Sequence, residues 1–314
     1  MSNFQFFPEP PPIWDGFCTS QRALFHSPAW QKLIDTTLGS ASIYGWDENN
    51  ESGAAINIFK AGVFRIGYLG FPVGGLIGKH SLSKELAAGW TRSAFPTALH
   101  CLRIPVSAFG QSLTLDLPRV GAPETAILNL PDWRLDNYPD TRRDINKANR
   151  AGFEIADDPD PALGLAAFRL YRDTVVRNRG GLRYTADYFQ ALAQLARTHP
   201  ALRFLFALKD RQVVSFVVVA QHGDTIYYLH SGTDPAYRRY SPTDLLLHDA
   251  IRWAQGQGAS SFNLMASPAK QTSLIRYKEK WGGLTREHVT YTLAIKAWPC
   301  RAFRAAERLY QLLR

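Results

Sequence analysis

The sequence predicts an α+β protein of two lobes, and three observations carry that expectation. The chain has 314 residues, above the size at which one hydrophobic core usually stops growing. Its hydrophobic content of 46% and aromatic content of 12% suffice for two cores. In the second half, three strand-like runs are followed by a helix and a further strand, the order of a sheet layered with helices.

The first lobe, expected over 1–125, opens on an arm that is aromatic and then rich in proline. A helix is expected over 25–38, where Trp30, Leu33, Ile34 and Leu38 share a face and Ser27-Pro28 supplies the N-cap and first position. Strands are expected at 54–59 and 63–69, followed by the turn Gly70-Phe71-Pro72-Val73-Gly74-Gly75, whose glycines permit close backbone approach. A helix over 83–95 and strands near 99–104 and 112–115 complete this lobe. Residues 121–139, with three prolines, read as the crossing to the second lobe, expected over 126–314.

That second lobe begins with a basic helix over 139–152, stopped by Gly152. A short strand at 153–155 precedes helices at 162–178 and 187–198. The runs 203–208, 213–221 and 225–230 are separated by short polar turns and read as an antiparallel meander. Ser241-Pro242 then opens a helix with Leu247, Ile251 and Ala254 on one face, before a strand at 261–265.

Charge is unevenly divided. Residues 1–140 hold 10 basic and 12 acidic side chains, leaving 26 basic and 15 acidic in 141–314. A basic half suits an anionic partner: phosphate, nucleotide, RNA or acidic lipid. Only three cysteines occur, Cys18, Cys101 and Cys300, well separated in sequence. That excludes a disulfide scaffold and suits a reducing, cytoplasmic compartment. No signal peptide is recognised at the start, and the longest apolar run, 213–220, is far short of the roughly 20 residues of a membrane helix.

Several chemistries lack their motifs. There is no phosphate loop of the G-x-x-x-x-G-K-[ST] type, no G-x-G-x-x-G after a strand and no G-x-S-x-G elbow. H-E-x-x-H and C-x-x-C are absent, so no metal is expected. A transferase that positions two substrates and stabilises developing charge needs few dedicated side chains and remains.

The run Tyr227-Tyr228-Leu229-His230-Ser231-Gly232, the stretch Tyr237-Arg238-Arg239-Tyr240-Ser241-Pro242-Thr243-Asp244 and the element Tyr277-Lys278-Glu279-Lys280-Trp281-Gly282 resemble the Fem-type branch of the GNAT N-acyltransferases. The resemblance spans roughly residues 25–294. It implies two GNAT-like lobes, the N-terminal one degenerate, each a mixed and mostly antiparallel sheet flanked by helices. It also implies transfer of an acyl group to an amine. The donor would be a co-substrate, aminoacyl-tRNA or acyl-CoA, with no resident cofactor. Where ordinary GNAT enzymes carry a [QR]-x-x-G-x-[GA] loop for the CoA pyrophosphate, this chain has serine in place of glycine, and Pro242 removes an N–H donor. That departure favours aminoacyl-tRNA, with a peptidoglycan or metabolite precursor as acceptor.

By the same resemblance Lys278 sits at the reaction centre as a cation for an oxyanion, with Tyr277 shaping the pocket. His230, beside Ser231, is a candidate acceptor for the amine proton; a buried structural histidine is the alternative. Arg183 is a candidate for substrate phosphate, with Arg177 and Arg179 as competitors. Arg238 and Arg239 at a helix start suit an anion. The helix bearing Arg142, Arg143, Lys147 and Arg150 is a candidate for tRNA or a diphosphate. The tail over 296–314 alternates apolar and basic residues, a pattern that suits peripheral contact with anionic lipid or packing on its own lobe. The rival from another class is a non-catalytic RNA- or phosphate-binding protein.

Overall fold

The structure, a computed structural model, describes residues 4–49, 51–79, 95, 99–110, 113–178 and 180–312. The chain divides into two compact units. One consists of Met1–Ala122 with Glu287–Arg314, the other of Pro123–Arg286. The C-terminal segment therefore returns to the first unit instead of extending the second, as 126–314 had implied. Strand pairing is the reason: residues Val289–Ala294 align antiparallel with Cys101–Val106. The helix that follows packs Cys300 and Phe303 against Cys101, Ile66 and Phe64.

Elements are numbered in chain order. In the first unit, α1 (Trp14–Ser20) and α2 (Pro28–Leu38) accompany β1 (Gln5–Phe7), β2 (Ala41–Asp47), β3 (Ser52–Ala61), β4 (Phe64–Leu69), β5 (Ile77–Gly78) and β6 (Cys101–Val106). The last strand and helix, β13 (Leu284–Ala294) and α8 (Ala297–Leu312), complete it. The order is β1-β2-β3-β4-β6-β13, with β5 on β3. Among the described residues of this unit, only β4 and β6 pair in parallel. Ser27 caps α2, its Oγ accepting from Trp30 N at 3.3 Å. The glycine turn does approach closely. Gly70 (φ +68°) and Gly74 (φ +155°) lie so near His26 that an added Cβ would meet its ring at 2.9 and 2.7 Å. Trp30 Nε1 donates to Phe71 O at 2.7 Å, pinning the same turn.

Three expectations for this unit change. Residues 113–115 form no strand, whereas β1, β2 and α1 were not anticipated. Residues 121–139 are not a plain linker, because β7 (Arg119–Ile127) runs through the start of that stretch. Of the helix expected over 83–95, residues 83–94 lie outside the described residues.

The second unit carries α3 (Pro139–Arg150), β8 (Glu154–Ala156), α4 (Pro161–Arg177), α5 (Ala186–Thr198), β9 (Leu202–Lys209), β10 (Gln212–His222) and β11 (Thr225–Thr233). Next come α6 (Pro242–Gly256), β12 (Ser261–Ala266) and α7 (Thr272–Glu279). Its strand order is β7-β12-β11-β10-β9-β8, antiparallel except for β11 and β12. Alternation along the meander sorts its residues onto two faces. Leu205, Ala207, Val217 and Val219 join Leu246, Leu247, Ala250, Ile251 and Ala254 of α6 in one core. Phe204 and Phe216 turn the other way, and Phe216 meets Phe189 of α5 with ring centroids 5.8 Å apart. Each fully buried aliphatic or aromatic side chain contributes about 1.5–3 kcal/mol. Both lobes are thus mixed, mostly antiparallel sheets with helices, the predicted α+β class.

Candidate active site

The site begins where two parallel strands part. β11 and β12 pair only at Thr225–Ser261, Ile226–Phe262 and Tyr227–Asn263. Beyond that point β11 continues along β10, while β12 bends through Met265, a non-glycine residue held at φ +65°. A cavity of about 260 Å³ opens there, wholly within the second unit. Tyr228, Ser231, Gly232 and Thr233 of β11 line one side, and the start of α6, Ser241 to Asp244, lines another. Leu274, Tyr277 and Lys278 of α7 close it, with Thr174 and Arg177 of α4 and Arg238 completing the lining.

Lys278 is buried, only 4% exposed. Its Nζ donates to Met265 O at 2.7 Å and to Ser267 Oγ at 2.8 Å, with Ala266 O more distant at 3.5 Å. The bend at Met265 is what presents that carbonyl. Met265 N donates to Asn263 Oδ1 at 2.7 Å, and Asn263 Nδ2 donates to the buried Glu124 Oε1 at 2.9 Å. Burial lowers the Lys278 pKa to about 8, against the opposing pull of Glu124. An ammonium fixed by these acceptors in the cavity lining is a preorganised cation for an incoming oxygen, the weak contact to Ala266 O being the one such an oxygen would replace.

The element that carries Lys278 is clamped. Trp133 Nε1 donates to Trp281 O at 2.9 Å, and Thr141 Oγ1 donates to Lys280 O at 2.8 Å. Gly282 sits at φ +82°, where a Cβ would strike the Tyr138 hydroxyl at 2.1 Å. Opposite, Ser215 Oγ lies 3.0 Å from both Thr233 Oγ1 and Thr243 Oγ1, tying β10, β11 and the first turn of α6 together.

Lys278, Tyr277, Ser231 and Arg238 thus meet in one cavity. Arg177, named as a competitor to Arg183, joins them; Arg179 lies outside the described residues. Four candidates lie elsewhere. His230, 8% exposed, sits in an aromatic cage, its Nε2 2.9 Å from the Tyr188 hydroxyl and its ring 4.5 Å from that of Tyr184. Burial, aided by the Arg183 charge, lowers its pKa to about 3. Arg183 is exposed and its backbone N–H donates to Tyr171 Oη at 3.3 Å. Arg239 stacks over Tyr240 at 4.7 Å, and Arg143 is an exposed partner of Asp140 at 3.3 Å. Sequence reasoning missed Thr233, Thr243 and Asp244, although Thr243 and Asp244 directly follow Pro242 in the first turn of α6.

The family model for the acetyltransferase (GNAT) domain matches residues 139–279, the stretch from α3 to the end of α7 that builds this cavity. Residues 139–279 thus form a GNAT acyltransferase domain. The chain's fold is that of the Fem-like branch. Over 91% of this chain and 96% of the other, it is similar to the crystal structure of FemX, with a TM-score of 0.63 and 14% identity. The C-terminal domain of a putative lysylphosphatidylglycerol synthetase from Agrobacterium fabrum is similar over 94% and 96% of the two chains, with a TM-score of 0.60 and 13% identity. A tandem GNAT protein from the clavulanic acid biosynthesis pathway gives 0.51 at 12% identity over 93% and 99%. No curated protein matches. Such enzymes take their acyl donor as a co-substrate. Among the described residues no group of His, Cys, Asp and Glu is arranged to hold a metal ion. No described helix is long and apolar enough to cross a membrane.

Proposed function

We propose that the protein is a cytoplasmic N-acyltransferase that moves an aminoacyl group from aminoacyl-tRNA to an amine of a phosphate-bearing precursor. The observation that carries this reading is the buried Lys278 ammonium in the lining of the cavity. The acceptor amine attacks the ester carbonyl and forms the new C–N bond. Negative charge gathers on the carbonyl oxygen, where Lys278 Nζ meets it. The C–O bond then breaks, and the amine proton ends on the departing ribose oxygen. Removing one such oxyanion donor typically costs about 10²–10³ in rate.

The tRNA donor is favoured over acyl-CoA by the first turn of α6. Pro242 lacks an N–H and Asp244 places a carboxylate in the lining, both poor neighbours for a pyrophosphate. Exposed Arg177 and Arg238 in the lining suit a phosphate of the larger substrate. Arg142, Arg143, Lys147 and Arg150 on α3 are the proposed contacts for the tRNA backbone. Likeness in fold to a lysylphosphatidylglycerol synthetase supports an aminoacyl group and a phosphate-bearing acceptor. On α8, Trp298 and Leu309 are 78% and 59% exposed among basic residues, and we assign them peripheral contact with anionic lipid near such an acceptor.

The test is a donor assay with a pool of charged tRNAs and, separately, a panel of acyl-CoAs, each with cell extract supplying acceptors. Loss of one aminoacyl ester, abolished in Lys278→Ala, is expected. Consumption of an acyl-CoA alone would replace the donor while leaving the site.

A further inference from the structure

Beside the oxyanion partner lies a charge arrangement that the reaction scheme leaves unused. Lys280 Nζ is shared between two carboxylates, donating to Asp144 Oδ2 at 2.9 Å and to Asp244 Oδ1. Two carboxylates about one ammonium leave one negative charge uncompensated. Asp144, on α3, is outside the cavity lining, whereas Asp244, on α6 and 6% exposed, is part of it. The residual charge therefore reaches the cavity through Asp244. Burial raises the Asp244 pKa, and the Asp144 charge acts in the same sense against Lys280. The other charged groups of the lining do not pair with it: Lys278 donates to Met265 and Ser267, and Arg177 and Arg238 are exposed. Tyr228 and Tyr277 face the same space, and burial holds both phenols protonated, with the Asp244 charge adding to the effect.

We propose that Asp244 determines donor specificity by receiving the α-ammonium group of an aminoacyl ester. This inference rests on the aminoacyl reading above. Every aminoacyl ester carries its ammonium on the carbon next to the reacting carbonyl. A cavity with a cation for the carbonyl oxygen and a carboxylate for the ammonium reads both groups at once. A buried carboxylate is stabilised when a desolvated cation meets it and penalised when the ligand brings none. Acetyl, fatty acyl and N-blocked aminoacyl groups bring none. A site built to bind a polar group rejects analogues that lack it far more strongly than a pocket discriminates by size.

The experiment compares one aminoacyl-tRNA with the same molecule bearing an N-acetyl cap, following loss of the ester with cell extract as acceptor source. Wild type is expected to prefer the free α-amine by about 10²-fold or more in kcat/KM. Asp244→Asn loses about that factor on the free-amine donor and little on the capped one, so the preference collapses. Activity on the capped donor reports that this variant is folded. Asp144→Asn, which leaves Lys280 to neutralise Asp244 alone, is the second variant and reduces the preference without altering the lining. Equal losses on both donors, no preference in wild type, or an unchanged preference in Asp144→Asn when Asp244→Asn does not fold would overturn the assignment and leave the aminoacyl reading standing. Turnover of acyl-CoA with no turnover of charged tRNA would remove both.

Discussion

Lys278 combines two properties that sequence alone shows unequally. Its place in the Tyr277–Gly282 element was legible from the resemblance. Its environment was not, because Met265, Ser267, Asn263 and Glu124 come from other strands and loops, and nothing in their own neighbourhoods marks them. The environment sets a testable pH dependence. The cation is the active form and is held to a pKa of about 8, so it is present below that value and lost above it. The kcat/KM profile is expected to fall as pH rises through about 8, and Lys278→Ala to lose about 10²–10³ with a flattened alkaline limb. A rate that climbs through pH 8 would instead make Lys278 a base. His230 shows the opposite case: a strand-end histidine near the splay invites a catalytic reading, yet its position among Tyr171, Tyr184, Tyr188 and Phe189 follows from helix packing that the local sequence does not encode.

At the level of elements, local signals served best where they were strong. Ser27-Pro28, the alternating meander and Ser241-Pro242 all began or formed the elements they announced. β7 was hidden by the prolines around it, and β2 and β13 by their mixed composition; tertiary pairing decides such strands. The element bearing Lys278 was recognised by resemblance, whereas the helix Thr272–Glu279 that carries it was not anticipated, nor was its structural reason. That reason is the clamp of Trp133, Tyr138 and Thr141 on the segment after it. Gly282→Ala puts a Cβ both in the left-handed region and against the Tyr138 hydroxyl. It is expected to destabilise by about 1–3 kcal/mol. Activity should fall with it, as α7 loses its seat. Thermal melting together with kcat/KM checks this; a variant as stable and active as wild type would remove the clamp from the account.

For the molecule as a whole, the two-lobe class was legible from length and pattern, but the chain's return to its first unit was not. That return is fixed by buried polar contacts as well as by strand pairing. Arg103, 5% exposed, donates through Nη1 to Thr292 Oγ1 at 2.6 Å and pairs through Nη2 with Glu307 of α8. Glu307→Ala strands that guanidinium and is expected to cost about 1–3 kcal/mol, read as lowered melting of the first unit. Acid should weaken both units. Burial lowers the pKa of His26 to about 4 and of His230 to about 3. Below pH 6.5 the unfolded chain therefore takes up protons that the folded chain refuses. Stability present above pH 6.5 is lost on acidification, at up to about 1.4 kcal/mol per pH unit for each histidine. Melting temperatures measured from pH 7 to 4.5 check this, and His26→Gln with His230→Gln should flatten the slope.

The order in which a ribosome delivers the chain gives the returning segment another meaning. The second unit occupies one unbroken stretch, Pro123–Arg286, and can close its sheet as soon as it emerges. The first unit begins earlier yet must wait, because the partner of β6 is made only after the whole second unit. During synthesis β6 is an open edge whose buried Leu102 and Ile104 have no cover from β13. The lobe translated first is therefore completed last, and its nascent edge is the place where this protein is most exposed to misassociation and chaperone capture.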